Sequence, residues 1–317
     1  METDLIGVFN NSLPGYETLT PIEIFDKAKA LGLGGVLFGN ILSVLPTLDP
    51  TALTELRQAA EARGLILNVG VGTFNPARPE RCKSLIEAGD GDMVKGLEKV
   101  LRAMPVLGAK TVFFVVGMIE DRDDPVISWQ SQLQGVIDGV KALAPAIRES
   151  GTRLLIKTHE EISTFEILRI IEVVGEDLLG IAHDPVNVPC RMEEAVECTR
   201  RIARHVAQVH IDDCYTTFDG DLMRRYLTPL GTGDIDWTEL LVLVPQATRW
   251  IEFHRGQFAM PVFDKDWLSA QADATLDEYR ALISATVKHE RANTPVPDQK
   301  DVFARLAPSI EWLKANA

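Results

Sequence analysis

The chain has 317 residues, 46% hydrophobic and 25% charged, which is globular composition with enough material for a large core. Its 32 basic and 46 acidic residues leave a formal charge of −14, a field that repels phosphate backbones and argues against nucleic acid as a partner. Four cysteines, Cys82, Cys190, Cys198 and Cys214, form no C-x-x-C pair, so no disulfide framework is implied and thiols kept reduced in the cytoplasm are expected.

Eight short apolar runs alternate with longer amphipathic stretches. In chain order the runs are LIGVF at 5–9, GGVLF at 34–38, LILNVGV at 65–71 and TVFFVV at 111–116. RLLIKT at 153–158, LLGIAH at 178–183, VAQVHI at 206–211 and RWIEF at 249–253 follow. Each is rich in Val, Ile, Leu or Phe and too short for a helix, as expected of parallel strands covered on both faces. Helical patterns lie between them, at 21–32, 51–63, 92–107, 127–149, 163–175, 192–204 and 237–246. Thr20 with Pro21 reads as a helix start, Gly64 as a stop, and Ser163 to Glu166 as a capping box.

Eight β-α units in succession predict an α/β fold, a closed (β/α)8 TIM barrel over residues 1–266. An open doubly wound sheet is the alternative, but no G-x-G-x-x-G follows a strand. Residues 267–317 carry two further helical stretches and are expected to pack on the barrel as a C-terminal helical extension. METDLIGVFNN has no signal-peptide pattern, and no apolar run of about 18 residues is available to span a membrane.

In such barrels chemistry sits at the C-terminal ends of the strands. The first four runs close on uncharged residues, among them Asn10 and Asn40, which could hydrogen-bond substrate hydroxyls or simply shape loops. The last four close on ionisable groups: Lys157 with His159, Glu160 and Glu161; His183 and Asp184, followed by Asn187; His210 with Asp212 and Asp213; and Glu252 with His254 and Arg255. Burying such groups is costly unless they are paired or bind something, and carboxylates converging with an imidazole suit a divalent cation.

These segments resemble the xylose isomerase-like TIM-barrel superfamily, the sugar phosphate isomerases and epimerases. Members end strand 5 in a segment like IENH, strand 6 in LDTGN, strand 7 in HxKD and strand 8 in a Glu, with G-x-G-x-I-D-W after strand 7. This chain has IKTH at 156–159, HDPVN at 183–187, VHIDD at 209–213, GTGDIDW at 231–237 and WIEFH at 250–254. The resemblance implies a divalent metal ion (Mn2+, Mg2+, Co2+ or Zn2+) on Asp184, His210 and Glu252. The family's fourth ligand is a Glu, and Lys157 stands in its place. A protonated amine cannot ligate a metal, so either the metal is lost or, as is expected here, a neighbour substitutes: Glu160, with Glu161 or His159 as alternatives.

Lys157 has two readings: a salt bridge across the barrel mouth to Asp184 or Glu252, or a cation or base that acts on substrate. The resemblance implies a metal-dependent isomerase or epimerase of a sugar, keto-sugar or cyclitol, working through an enediolate. A lyase on a 3-keto sugar, decarboxylating or eliminating, is the alternative, favoured by the extra positive charge. Lys157, His159, Glu161 and Glu252 are the expected catalytic groups, and Asn10, Asn40, Asn187, His254 and Arg255 the expected substrate contacts. An abasic-site nuclease and a non-catalytic sugar-binding barrel rank lower, and a homo-oligomer is compatible with the sequence. Residues 256–267, apolar and directly after the last strand, read either as a lid or as a seal beneath the tail.

Overall fold

The computed structural model describes residues 6–316, so Leu5 of the first predicted strand lies outside the described residues. Eight parallel strands close a barrel: β1 (Ile6–Phe9), β2 (Gly35–Phe38), β3 (Ile66–Thr73), β4 (Thr111–Val115), β5 (Arg153–Lys157), β6 (Leu179–His183), β7 (Val206–Ile211) and β10 (Thr248–Ile251). β10 pairs with both β7 and β1, which completes the ring. The fold is therefore a (β/α)8 barrel with helices outside, as the repeated pattern predicts.

Two apolar layers hold it. The larger lies between strands and helices and includes Phe25, Phe38, Leu53, Phe74, Phe114 and Ile156. The smaller fills the barrel interior with Phe9, Leu37, Phe113, Leu155, Ala182 and Trp250. Trp250 fits because β1 and β2 face it with glycines: a Cβ on Gly7 would lie 2.3 Å from the indole ring. The helix starts behave as read, with reciprocal capping boxes at Thr20–Glu23 and Ser163–Glu166.

One element departs from the sequence reading. Residues after β7 form a hairpin, β8 (Asp213–Asp219) and β9 (Leu222–Thr228), joined by β11 (Ala259–Met260) as a third antiparallel strand. A local signal was present: Asp219-Gly220-Asp221 has the composition of a hairpin turn, and Gly220 has φ +60°. The segment after β10 is tied into this sheet, with Met260 and Val262 buried beside Met192, Met223 and Leu282, although Phe263 is 56% exposed. In this conformation it is a seal. The helix Leu276–Ala292 packs on the hairpin, with Thr286 hydrogen-bonded to Thr216 (2.7 Å) and His289 stacked on Tyr215 (4.5 Å). The helix Leu306–Asn316 adds Leu306, Ile310 and Leu313 to the main core.

Removing a buried cap tests this local logic. Ser163→Ala should lower unfolding free energy by about 1 kcal/mol in urea titrations without changing the slope. An unchanged midpoint would show that the cap does not stabilise the helix.

Candidate active site

Strand register sets the site. Lys157 pairs in the sheet with Ala182, and His210 with Trp250, so Lys157, His210, Asp184 and Glu252 belong to the layer just above the apolar barrel filling. Lys157 is 3% exposed. Its Nζ donates to both Glu252 oxygens at 2.7 Å and lies 2.9 Å from Asp184 Oδ2. The sequence reading of a salt bridge to Asp184 or Glu252 is met by both at once.

His210 faces Glu252 Oε2 through Nδ1 at 2.5 Å, and its ring sits edge-on to Phe113 and Phe9. Its other nitrogen, Nε2, meets Gln208 Oε1 at 3.1 Å. Gln208 Nε2 donates to Thr111 Oγ1, which donates to Asn68 Oδ1, each at 2.8 Å. This polar thread crosses the barrel interior and orients the His210 ring. Neither Asp212 nor Asp213 hydrogen-bonds to His210. Asp212 instead meets His254 Nδ1 at 3.1 Å and Arg305 at 2.6 Å, while Asp213 accepts from the backbone of Gly231 and Gly233. Gln208 was legible as a polar residue in an apolar strand sharing His210's parity.

His254 Nε2 lies 2.7 Å from Asp184 Oδ2, an ion-pair contact not aligned as a hydrogen bond. Asn187 Nδ2 donates to the same oxygen at 2.9 Å. His159, Glu160 and Glu161 form a separate group: His159 Nε2 lies 2.8 Å from Glu160 and Nδ1 2.7 Å from Glu161. Glu161 also accepts from Gly117 N at 3.0 Å, which draws it toward the end of β4. Arg225, from β9, covers the cluster and donates to Asn187 Oδ1 at 2.9 Å.

The remaining expected residues stand further out. Asn10 accepts from Gly39 N, and Asn40 caps the helix Ile41–Val44. Arg255 lies over Tyr16 and Phe303 and donates to Asn11 O, with its side chain outside the cluster. His183 bonds Thr158 and Thr199, toward the helix layer, and burial holds it neutral.

Electrostatics follow from this geometry. Burial would depress the Lys157 ammonium, but Asp184 and Glu252 outweigh it and hold the group charged. A lysine base needs the opposite shift, so the base reading of Lys157 has no support. Burial likewise opposes charge on His159 and His254, yet carboxylates raise them to about 10 and about 9.

Asp184, His210 and Glu252 each offer a ligand atom within 4.8 Å of the others, a donor set of the right type for a divalent ion. Glu160 falls instead in the group with His159 and Glu161. Lys157 Nζ occupies the space between the two carboxylates, where an ion held at about 2.0–2.6 Å from the same oxygens would sit. With Lys157 in this position the set does not fit a metal ion, although Asp184 Oδ1 is buried without a hydrogen-bond partner.

Residues 25–254 match the profile of the family described as xylose isomerase-like TIM barrel. A curated relative, 3-oxo-isoapionate decarboxylase of Pectobacterium atrosepticum, is 24% identical over 200 residues, 62% of this chain and 63% of the relative. The chain thus spans less than two thirds of that relative's length. Among solved structures, D-psicose 3-epimerase from Clostridium cellulolyticum superposes with TM-score 0.67 at 12% identity, covering 98% of this chain and 99% of that one. The 3-keto-D-glucoside 4-epimerase of E. coli gives TM-score 0.58 at 16% identity, covering 88% and 98%. At these identities the structures share the fold.

The two raised histidines set a pH dependence. Their unfolded value is about 6.5, so the stability from their ion pairs is fully present below that pH and is lost as pH rises through about 9 and about 10. Glu193 and Asp213, raised by burial to about 7, spend their effect below this window. Urea unfolding at constant salt should show stability falling from about pH 7 to 10, with a shallower fall in His254→Gln. A flat profile in the unmodified protein would contradict the charged-imidazole assignment.

Proposed function

The chain belongs to the xylose isomerase-like TIM-barrel family, and from that premise we propose that it is a lyase that decarboxylates a keto sugar acid. The observation that carries this reading is the Lys157 ammonium fixed between Asp184 and Glu252. Decarboxylation of a 3-keto acid breaks the carbon–carbon bond to the carboxylate. The electron pair passes to the carbonyl oxygen as an enolate, CO2 leaves, and the carbon takes up a proton. A preorganised cation facing that oxygen stabilises the charge that develops. Lys157 supplies the cation, and its two carboxylates prevent it from turning away. Protonated His159, backed by Glu160 and Glu161, supplies the proton. Asn187 and His254 are the proposed substrate contacts within the cluster, with Asn10, Asn40 and Arg255 at its margin.

Epimerisation next to a carbonyl asks more of the site: one group must remove a proton from one face and another return it to the opposite face. Here the strand-5 position carries an ammonium in place of a carboxylate, which removes one such group. The name of the curated relative, a decarboxylase, points the same way. A second reading keeps an isomerase or epimerase with Mn2+, Mg2+, Co2+ or Zn2+ on Asp184, His210 and Glu252. The unpartnered Asp184 Oδ1 favours it.

The test is CO2 release from a panel of 3-keto sugar acids, using protein whose metal content has been measured before and after chelation. Chelated protein should remain active, and Lys157→Met should lose about 100-fold or more in kcat while still folding. Lys157→Glu, which restores the family's carboxylate, should also be inactive as a lyase. Activity lost on chelation, restored by Mn2+, and consisting of solvent-deuterium exchange without CO2 would establish the second reading instead.

A further inference from the structure

Two buried arginines near the cluster have no carboxylate partner. Arg225 is 0% exposed. Its Nη1 donates to Val186 O (2.8 Å) and Asn187 Oδ1 (2.9 Å), and its guanidinium lies over the Phe258 ring at 4.5 Å. Its Nε and Nη2 are buried without any hydrogen-bond partner. Arg191, 5% exposed, ends the turn Val188–Arg191, and its side chain takes part in no hydrogen bond or ion pair among the described residues.

Three other sheltered arginines near the site are paired with carboxylates. Arg122 meets Glu166, Arg201 meets Glu193 and Glu278, and Arg305 meets Asp212. A buried guanidinium with idle donors is unfavourable unless something outside the chain supplies acceptors. The two groups also share a neighbourhood. Arg225 grips the loop that leads straight into the turn carrying Arg191, and both act electrostatically on the buried Cys190 thiol, as do Glu160 and Glu161. Asn187 joins this region to the cluster, accepting from Arg225 and donating to Asp184.

We propose that Arg225, assisted by Arg191, is the receptor for the substrate's carboxylate. The planar fork of an arginine matches a carboxylate, and the flat contact with Phe258 fixes its plane. The choice of carboxylate rests on the keto-acid reading above; the receptor itself is tested by binding alone. Loss of the carboxylate as CO2 removes the handle, so product would be held less firmly than substrate. A grip on the ground state as much as on the transition state should appear in KM more than in kcat.

The experiment uses full-length protein labelled with 15N-arginine, titrated at constant ionic strength with acetate, its neutral isostere acetamide, and inorganic phosphate. Acetate should shift two arginine Nε–H signals saturably, the ones missing from Arg225→Gln and Arg191→Gln, and acetamide should shift neither. Arg225→Gln should weaken acetate at least tenfold, with Arg225→Lys intermediate. Should Arg225→Gln fail to fold, the titration of unsubstituted protein and of Arg191→Gln still decides. No saturable acetate effect, an equal response to acetamide, or phosphate binding without acetate binding would overturn the proposal. Acetate binding without CO2 release from any keto acid would sink the lyase reading alone, and CO2 release without acetate binding would sink the receptor alone.

Discussion

A charged ammonium enclosed by protein must be held by opposite charge, and in this barrel that constraint organises the whole upper layer. Lys157 lies within 2.9 Å of Asp184 and 2.7 Å of Glu252, each from a different strand, so the three side chains lock together the ends of β5, β6 and β10. Removing one partner of a buried pair of this kind leaves an uncompensated charge and costs about 3–5 kcal/mol. The neighbours are arranged around that lock. Asn187 and His254 occupy Asp184, His210 occupies Glu252, and Gln208 holds His210 from below. The same lock that makes the site rigid also gives it a fixed positive point, which is the chemical property the proposed reaction uses.

The cover over this layer is built from the hairpin β8–β9, the strand β11 and the helix Leu276–Ala292. A hydrophobic cluster containing Met192, Met223, Met260 and Leu282 binds these pieces to the turn after β6. Methionine adapts to irregular gaps, which suits a surface where loop, hairpin and helix meet. Arg225 reaches beneath this cover, so the cover both excludes water and contributes polar atoms close to the cluster.

The barrel was legible because each strand is an uninterrupted apolar run bounded by helical periodicity, a signal that survives without any tertiary information. The strand-end residues Lys157, Asp184, His210 and Glu252 were legible for the same reason, since the fold dictates where strand ends converge. The hairpin was lost because β8, Asp-Cys-Tyr-Thr-Thr-Phe-Asp, is neither a continuous apolar run nor an alternating one, even though Asp219-Gly220 marks its turn. Partner choice was less legible. Asp212 and Asp213 are adjacent in sequence and look alike, yet one meets His254 and Arg305 while the other binds the backbone of the Gly231–Gly233 turn. Nothing in local spacing connects Asp212 to a residue 93 positions later.

That last contact has a consequence for synthesis. Arg305 reaches back to Asp212 and also donates to the His254 carbonyl at 2.8 Å. On the ribosome, the last barrel strand, which ends at Ile251, emerges before Arg305 does. Until Arg305 follows, Asp212 is a carboxylate at the barrel mouth without its arginine, and the His254 carbonyl lacks its donor. This part of the site is therefore completed only after more than fifty further residues have been translated.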